Sequence, residues 1–255
     1  NVAIAAVKAY YLNQTKEAVN NLISLRPTEP CLRNALKFVQ LDTKNITYAL
    51  KHFEEAKEKI AKIIFNKIEN NTIIFTHCHS STVSNALIYT HKHGKKFEVY
   101  NTETRPLLQG RITATELAKA DIKVTHFVDS AARIALKKSD LFLIGADAIT
   151  VEGKVINKIG SELFAEIAHK LDVPLYVCSD SWKFDPKTIF GYEEIIEKRP
   201  EKEVWPNIPK NVKVNNLAFE KIDPSLITGI ISELGVYKPE IFVEEIKKAY
   251  PWLLK

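Results

Sequence analysis

A chain of 255 residues is long enough to bury a full core, as one large domain or two modest ones. Its net charge of +5, from 36 basic and 31 acidic residues, is too mild for a nucleic-acid scaffold and suits a small anionic substrate. No apolar run is long enough to span a bilayer, no secretory signal is visible, and the three widely spaced cysteines (Cys31, Cys78, Cys178) argue for a reducing cytoplasm rather than a disulfide framework. Met is absent and the sequence starts at Asn1, which points to a trimmed product.

Residues 1–70 read as a helical domain. Apolar side chains recur at helical spacing over Val2 to Leu12, Thr15 to Leu25, Pro30 to Val39 and Asn45 to Ile64. The break Arg26-Pro-Thr-Glu-Pro30 separates the second helix from the third, with Pro27 and Pro30 favouring an extended approach to it. From residue 71 to 255 short apolar runs alternate with helical stretches. Strands are expected near 72–77, 96–101, 123–128, 141–146, 174–178 and 226–232. Helices are expected near 80–93, 113–120, 130–138 and 158–171. This alternation predicts an α/β fold: a doubly wound, mostly parallel, Rossmann-like sheet domain onto which the helical domain docks without a flexible linker.

The chemistry-bearing residues fall at strand ends, where open sheets bind their ligands. Cys78 closes the run Thr76-His-Cys-His-Ser80 and Asp147 closes Gly145-Ala-Asp147. A thiol and an acid with no obvious metal suit proton shuttling at a carbonyl better than hydrolysis. On an extended strand His77 and His79 share one face and Cys78 takes the other, which disfavours a metal cluster. Cys78 is either a core thiol or a reactive one; Ser80, Ser81 and Thr82 at a helix start form an oxygen-binding pocket with free backbone donors for phosphate, and that start would lower the thiol pKa. Arg105 and Gln109 either contact substrate or fix a loop through an Arg–Glu pair. Asp129 reads as an ordinary N-cap. Asn157 and Lys158 lead into a helix whose start could hold a second phosphate, and Lys183 follows the strand ending at Cys178. No Walker loop, dinucleotide fingerprint or serine elbow is present.

Taken together, Arg26-Pro-Thr28, the Cys78 run, Val128-Asp-Ser-Ala-Ala-Arg133, Gly145-Ala-Asp147 and Asn157-Lys158 resemble a known superfamily. It holds ribose-1,5-bisphosphate isomerase, 5-methylthioribose-1-phosphate isomerase and the regulatory subunits of the eukaryotic initiation guanine-nucleotide exchange factor. The resemblance reaches from Arg26 to Trp252, and its Cys78 and Asp129 motifs are more similar to the bisphosphate branch than to the methylthioribose branch. It implies that Cys78 and Asp147 are a catalytic pair. It further implies that Arg26, Ser80, Ser81, Thr82, Asn157, Lys158 and Lys183 hold sugar phosphates, with Gln109 as a polar contact.

The implied reaction is an aldose–ketose isomerisation without a cofactor or metal. Either Cys78 removes the C2 proton while Asp147 serves the oxygens, or a hydride shifts with Asp147 assisting. The resemblance implies a cytoplasmic homodimer or dimer-based hexamer, with neither nucleic acid nor membrane as partner. The family's Arg- and Gly-rich phosphate loop is expected ahead of Asn1. The alternatives left open are methylthioribose-1-phosphate isomerisation and a non-catalytic regulatory subunit.

Overall fold

The computed structural model describes residues 2–26, 28–193 and 196–254; Pro27 of the expected break lies outside them. Four helices open the chain: α1 (Val2–Leu12), α2 (Lys16–Leu25), α3 (Pro30–Leu41) and α4 (Asn45–Lys67). The Thr15 hydroxyl caps α2 by accepting from Ala18 N at 3.2 Å. Pro30 begins α3, where the missing N–H costs no hydrogen bond.

Strands and helices then alternate. They are β1 (Ile73–Thr76), α5 (Ser81–Lys92), β2 (Glu98–Thr102), α6 (Gln109–Ala118), β3 (Lys123–Phe127), α7 (Ala132–Leu136) and β4 (Leu141–Ile144). After β5 (Ala148–Ile149) and β6 (Val155–Lys158) come α8 (Ser161–Lys170), β7 (Leu175–Cys178), β8 (Phe219–Ile222), β9 (Gly229–Ser232), β10 (Gly235–Tyr237) and α9 (Pro239–Ala249). Among the described residues seven strands form one sheet in the order β10-β9-β7-β4-β1-β2-β3, parallel except for the β9–β10 hairpin. The expected doubly wound sheet with a helical region before it is the fold observed.

The central strands are apolar on both sides, as a buried parallel sheet requires. Ile74 and Leu143 face a layer built from α4, α5 and α6, whereas Phe75, Phe142 and Ile144 face α7, α8 and α9. Burying each such side chain contributes about 1.5–3 kcal/mol. A third core lies among α1, α2, α3 and the start of α4, and it includes Trp182 from the turn after β7. Helix α4 joins the layers, since Ala49 and Phe53 pack in the helical core and Ile60 and Ile64 against the sheet.

Two expectations change. The helix expected near 158–171 is α8, but it begins only at Ser161, because Val155–Lys158 pairs antiparallel with β5 and β8 in a second, three-stranded sheet. The helix expected from 113 begins at Gln109 instead, after Leu108 turns the chain at φ 58°. The sequence reading also lacked α9, β8 and β10. No described helix is long and apolar enough to cross a membrane.

Candidate active site

Strands β1 and β4 are neighbours, paired Ile74 to Leu141 and Phe75 to Phe142, so their carboxyl ends open side by side. The connections diverge there, towards β2 and β3 on one side and β7 and β9 on the other, which makes this the switch point of the sheet. Cys78 lies just beyond β1 and Asp147 just beyond β4, and both line one cavity of about 490 Å³. The residues named from the sequence gather around them: Ser80, Ser81 and Thr82 from α5, Gln109 from α6, Asn157 and Lys158 from β6, Lys183 from the turn after β7, and Arg26 from the end of α2.

Close approach of β4 to α5 depends on Gly145, where a Cβ would fall 2.5 Å from Ser80 Oγ. That hydroxyl accepts from Val83 N at 3.4 Å, so Ser80 caps the helix whose first N–H groups border the cavity. Asn157 and Lys158 arrive differently from expectation. They sit on β6, where Asn157 Nδ2 donates to Ser161 Oγ at 3.1 Å and Lys158 Nζ lies 4.7 Å from the centre of the Phe219 ring.

Cys78 is not on an extended strand. Strand β1 ends at Thr76 and Cys78 has φ 65°, so the expected shared face for His77 and His79 does not form. His77 is buried, and because the Ile159 carbonyl 3.0 Å from Nε2 can only accept, the ring proton is on Nε2. Its Nδ1 then accepts from Thr102 Oγ1 at 2.6 Å. Burial pushes this imidazole down to about 4, so it is uncharged at neutral pH. The thiol is not lowered as expected but is pushed up to about 11, chiefly by burial. The His79 N–H and Lys158 oppose that shift without cancelling it, and Asp147 and Asp129 add to it. A neutral His77 also removes the imidazolium that commonly depresses a neighbouring thiol.

Because the folded state holds this proton more tightly than the unfolded chain, stability falls as pH climbs from the ordinary thiol range to about 11. Alkylation of Cys78 by iodoacetamide, followed by mass spectrometry, is expected to rise with a midpoint near 11. A midpoint at or below the ordinary thiol value of about 8.5 would contradict this account.

Burial likewise raises Asp147, against the opposing charges of Lys183, Lys158 and Arg26. Lys183 Nζ donates to the Ala146 carbonyl beside it. The turn that carries Lys183 is fastened to the helices. Asn34 Nδ2 donates to Trp182 O at 2.8 Å and Phe184 O at 2.7 Å, and Arg33 pairs with Asp185 at 3.1 Å. His52 Nε2 meets Asp180 Oδ1 at 3.2 Å and stacks on Trp182 with ring centroids 4.1 Å apart.

Asp129 does not cap its own helix; its carboxylate accepts from Thr104 N at 2.8 Å and Arg105 N at 2.7 Å. Among the described residues Arg105 neither lines the cavity nor pairs with a Glu, and its Nη2 donates to Val204 O at 3.0 Å. Gln109 does line the cavity, and its buried Oε1 accepts no hydrogen bond from the described residues. The sequence reading missed Glu197, Arg199, Glu203 and Asn216, which wall one side. Arg199 is held by Glu203 at 2.8 Å and Glu197 at 3.2 Å. The bridge between Lys198 and Leu217, formed across a long loop, helps bring this strap to the cavity, and no local pattern signals it.

The chain matches the Initiation factor 2 subunit family over residues 7–239. It is 36% identical over 268 residues to a protein of Thermococcus kodakarensis named ribose 1,5-bisphosphate isomerase, covering 96% of this chain and 83% of that one. It is 32% identical over 269 residues to the methylthioribose-1-phosphate isomerase of Symbiobacterium thermophilum, covering 96% and 74%. Among solved structures, the translation initiation factor eIF-2B of Pyrococcus horikoshii superposes with a TM-score of 0.85 at 26% identity, covering 95% of this chain and 92% of that one. With the sheet, the switch-point cavity and these matches in hand, the chain belongs to the Initiation factor 2 subunit family.

Proposed function

We propose that the protein is a sugar-phosphate isomerase that converts ribose 1,5-bisphosphate to ribulose 1,5-bisphosphate, with Cys78 and Asp147 as the reacting pair. The observation that carries this reading is a single cavity lined by both groups together with a helix start and the cations Arg26, Lys158 and Lys183. Two phosphates need two grips. The start of α5 with Ser80, Ser81 and Thr82 suits one, and Arg26 with Lys183 suits the other. The archaeal relative's name agrees with this substrate.

In this mechanism Asp147 protonates the ring oxygen as the bond from C1 to that oxygen breaks. Cys78 takes the proton from C2, leaving a C1–C2 enol phosphate. The thiol then returns its proton to C1 while the Asp147 carboxylate takes the proton of the C2 hydroxyl, giving the ketone and restoring both groups. A thiol held near 11 is ionised in about one molecule in 10⁴ at pH 7, so Cys78 has to lose its proton in the complex. A hydride shift from C2 to C1, with Asp147 still the acid, avoids that requirement. The two grips fix the reacting carbons between the groups in either route.

Pro106, Leu107 and Phe219 are apolar side chains lining the same cavity, and this favours a second reading, methylthioribose 1-phosphate as substrate. The test is turnover of both sugars by the full-length protein, with the ribulose 1,5-bisphosphate formed read through Rubisco. Turnover of the bisphosphate with at least about 100-fold higher kcat/KM than the methylthio sugar is the expected result. The reverse preference selects the second reading, and silence on both selects a non-catalytic regulatory subunit. Delivery of the product to Rubisco in nucleotide salvage, and a homodimer or dimer-based hexamer in the cytoplasm, belong to the same proposal.

A further inference from the structure

Three side-chain-bearing residues near the site hold left-handed backbone: Cys78 at φ 65°, Thr104 at φ 63° and Leu108 at φ 58°. Thr104 is the least expected of them. A β-branched side chain crowds its own backbone there, and Gly or Asn would sit with less strain. The residue is wholly buried and does not line the cavity, so it cannot touch a substrate.

Its surroundings explain why Thr is held in that conformation. The Asp129 carboxylate accepts from Thr104 N at 2.8 Å and from Arg105 N at 2.7 Å, two charge-assisted bonds that fix the turn. Thr104 Oγ1 in turn accepts from Cys78 N at 2.9 Å. On the far side of the same residue, Thr113 Oγ1 donates to Cys78 O at 2.9 Å. Both peptide groups flanking the thiol-bearing carbon are thus held by threonine hydroxyls, and the strained turn at Thr104 is itself held by a carboxylate.

We infer that Thr104, braced by Asp129, is a positioning residue that fixes the left-handed backbone of Cys78 and so aims its thiol across the cavity. The inference rests on the proposed role of Cys78. It assigns to Asp129 a task that its place at a helix start conceals. It also accounts for a strained Thr where a glycine would fold more easily, because glycine has no hydroxyl to offer the Cys78 N–H.

The test compares Thr104→Val, which keeps the shape and loses the hydroxyl, with Thr104→Ser, which keeps the hydroxyl. Thr104→Val is expected to lower kcat for ribose 1,5-bisphosphate at least about tenfold with KM within about twofold, while Thr104→Ser retains at least about half of kcat. Iodoacetamide alkylation of Cys78 at pH 9 should quicken at least about threefold in the Val variant and stay unchanged in the Ser variant. Equal losses in both variants, or a loss confined to KM, overturn the inference.

If Thr104→Val does not fold, Asp129→Asn carries the same comparison, since its amide can accept only one of the two N–H groups. Lowered kcat at constant KM then supports the inference, and an unchanged kcat overturns it. If the natural protein turns over neither sugar, the functional reading falls by itself and the alkylation rates decide. Faster alkylation in the Val but not the Ser variant supports the aiming role, and equal rates overturn it.

Discussion

Cys78→Ser and Asp147→Asn should each lower turnover of ribose 1,5-bisphosphate at least about 10³-fold while the protein stays folded. Serine accepts the left-handed backbone of Cys78 as well as cysteine does, and the backbone contacts to Thr104 and Thr113 do not involve the thiol. What it loses is a group that can reach its anionic form, because a serine hydroxyl ionises far above even a thiol held near 11. For Asp147→Asn the sign of the stability change can be worked out. Burial raises the folded-state pKa, so the stabilisation linked to this carboxyl is present at low pH and is lost as pH rises through and above the ordinary carboxylate range. At pH 7 the amide carries no such cost, and its melting midpoint should equal or exceed that of the natural protein. Retained turnover in either variant would remove the reacting pair.

The same assay in heavy water tests the proton route. Deuterium appearing at C1 of the product marks proton transfer through Cys78 and excludes the hydride shift, which carries the C2 hydrogen to C1 unexchanged.

Gly110→Ala should be the most damaging single methyl in the molecule. A Cβ at this position would lie 1.7 Å from the Thr102 carbonyl oxygen and 2.8 Å from its carbon, both backbone atoms that no rotamer change can move. The Gly110 carbonyl also accepts from the buried Asn101 Nδ2 at 2.6 Å, which ties the start of α6 to β2. Relief requires α6 to shift away from the sheet. We expect a loss of at least about 3 kcal/mol, at the upper end for overpacked sites, and a melting midpoint lower by about 6–12 °C in a calorimetric scan. Because the turn containing Thr104 and Arg105 precedes this glycine, the surviving folded protein should also have a lower kcat. A midpoint within 2 °C of the natural protein would contradict the close approach.

The parallel sheet was legible because its strands are short apolar runs that bury both faces, as Ile73-Ile-Phe75 and Leu141-Phe-Leu-Ile144 do. The placing of Cys78 and Asp147 followed from the rule that ligands meet the carboxyl ends of such strands. Arg26 was implied by the resemblance alone and Lys183 carried little weight without it; all four line one cavity. Strand β6, the middle strand of the small three-stranded sheet, escaped because four residues running straight into a helix look no different from the lead into that helix. The strap of Glu197, Arg199 and Glu203 escaped because a run of alternating charges ordinarily marks a solvated loop. The thiol was misjudged for another reason. The sequence displays a helix start and two histidines beside Cys78, but whether burial outweighs them depends on packing from several elements. Asp129 shows the same limit, since its N–H partners come from another loop.

If Lys183 grips a phosphate as proposed, the hold of Asn34 on the carbonyls either side of it ties affinity to the integrity of the helices. The Arg26 carbonyl accepts from Glu29 N at 3.3 Å at the start of α3 and the turn of Lys183 is held by Asn34 of the same helix, so the placing of both cations depends on α3. A ligand gripped by both favours the state in which α3 is seated, and by linkage it protects the helical core against unfolding. Damage to the packing of α1 on α3, far from any substrate, would therefore surface in an assay as weakened binding, and a bound sugar phosphate would in part repair it.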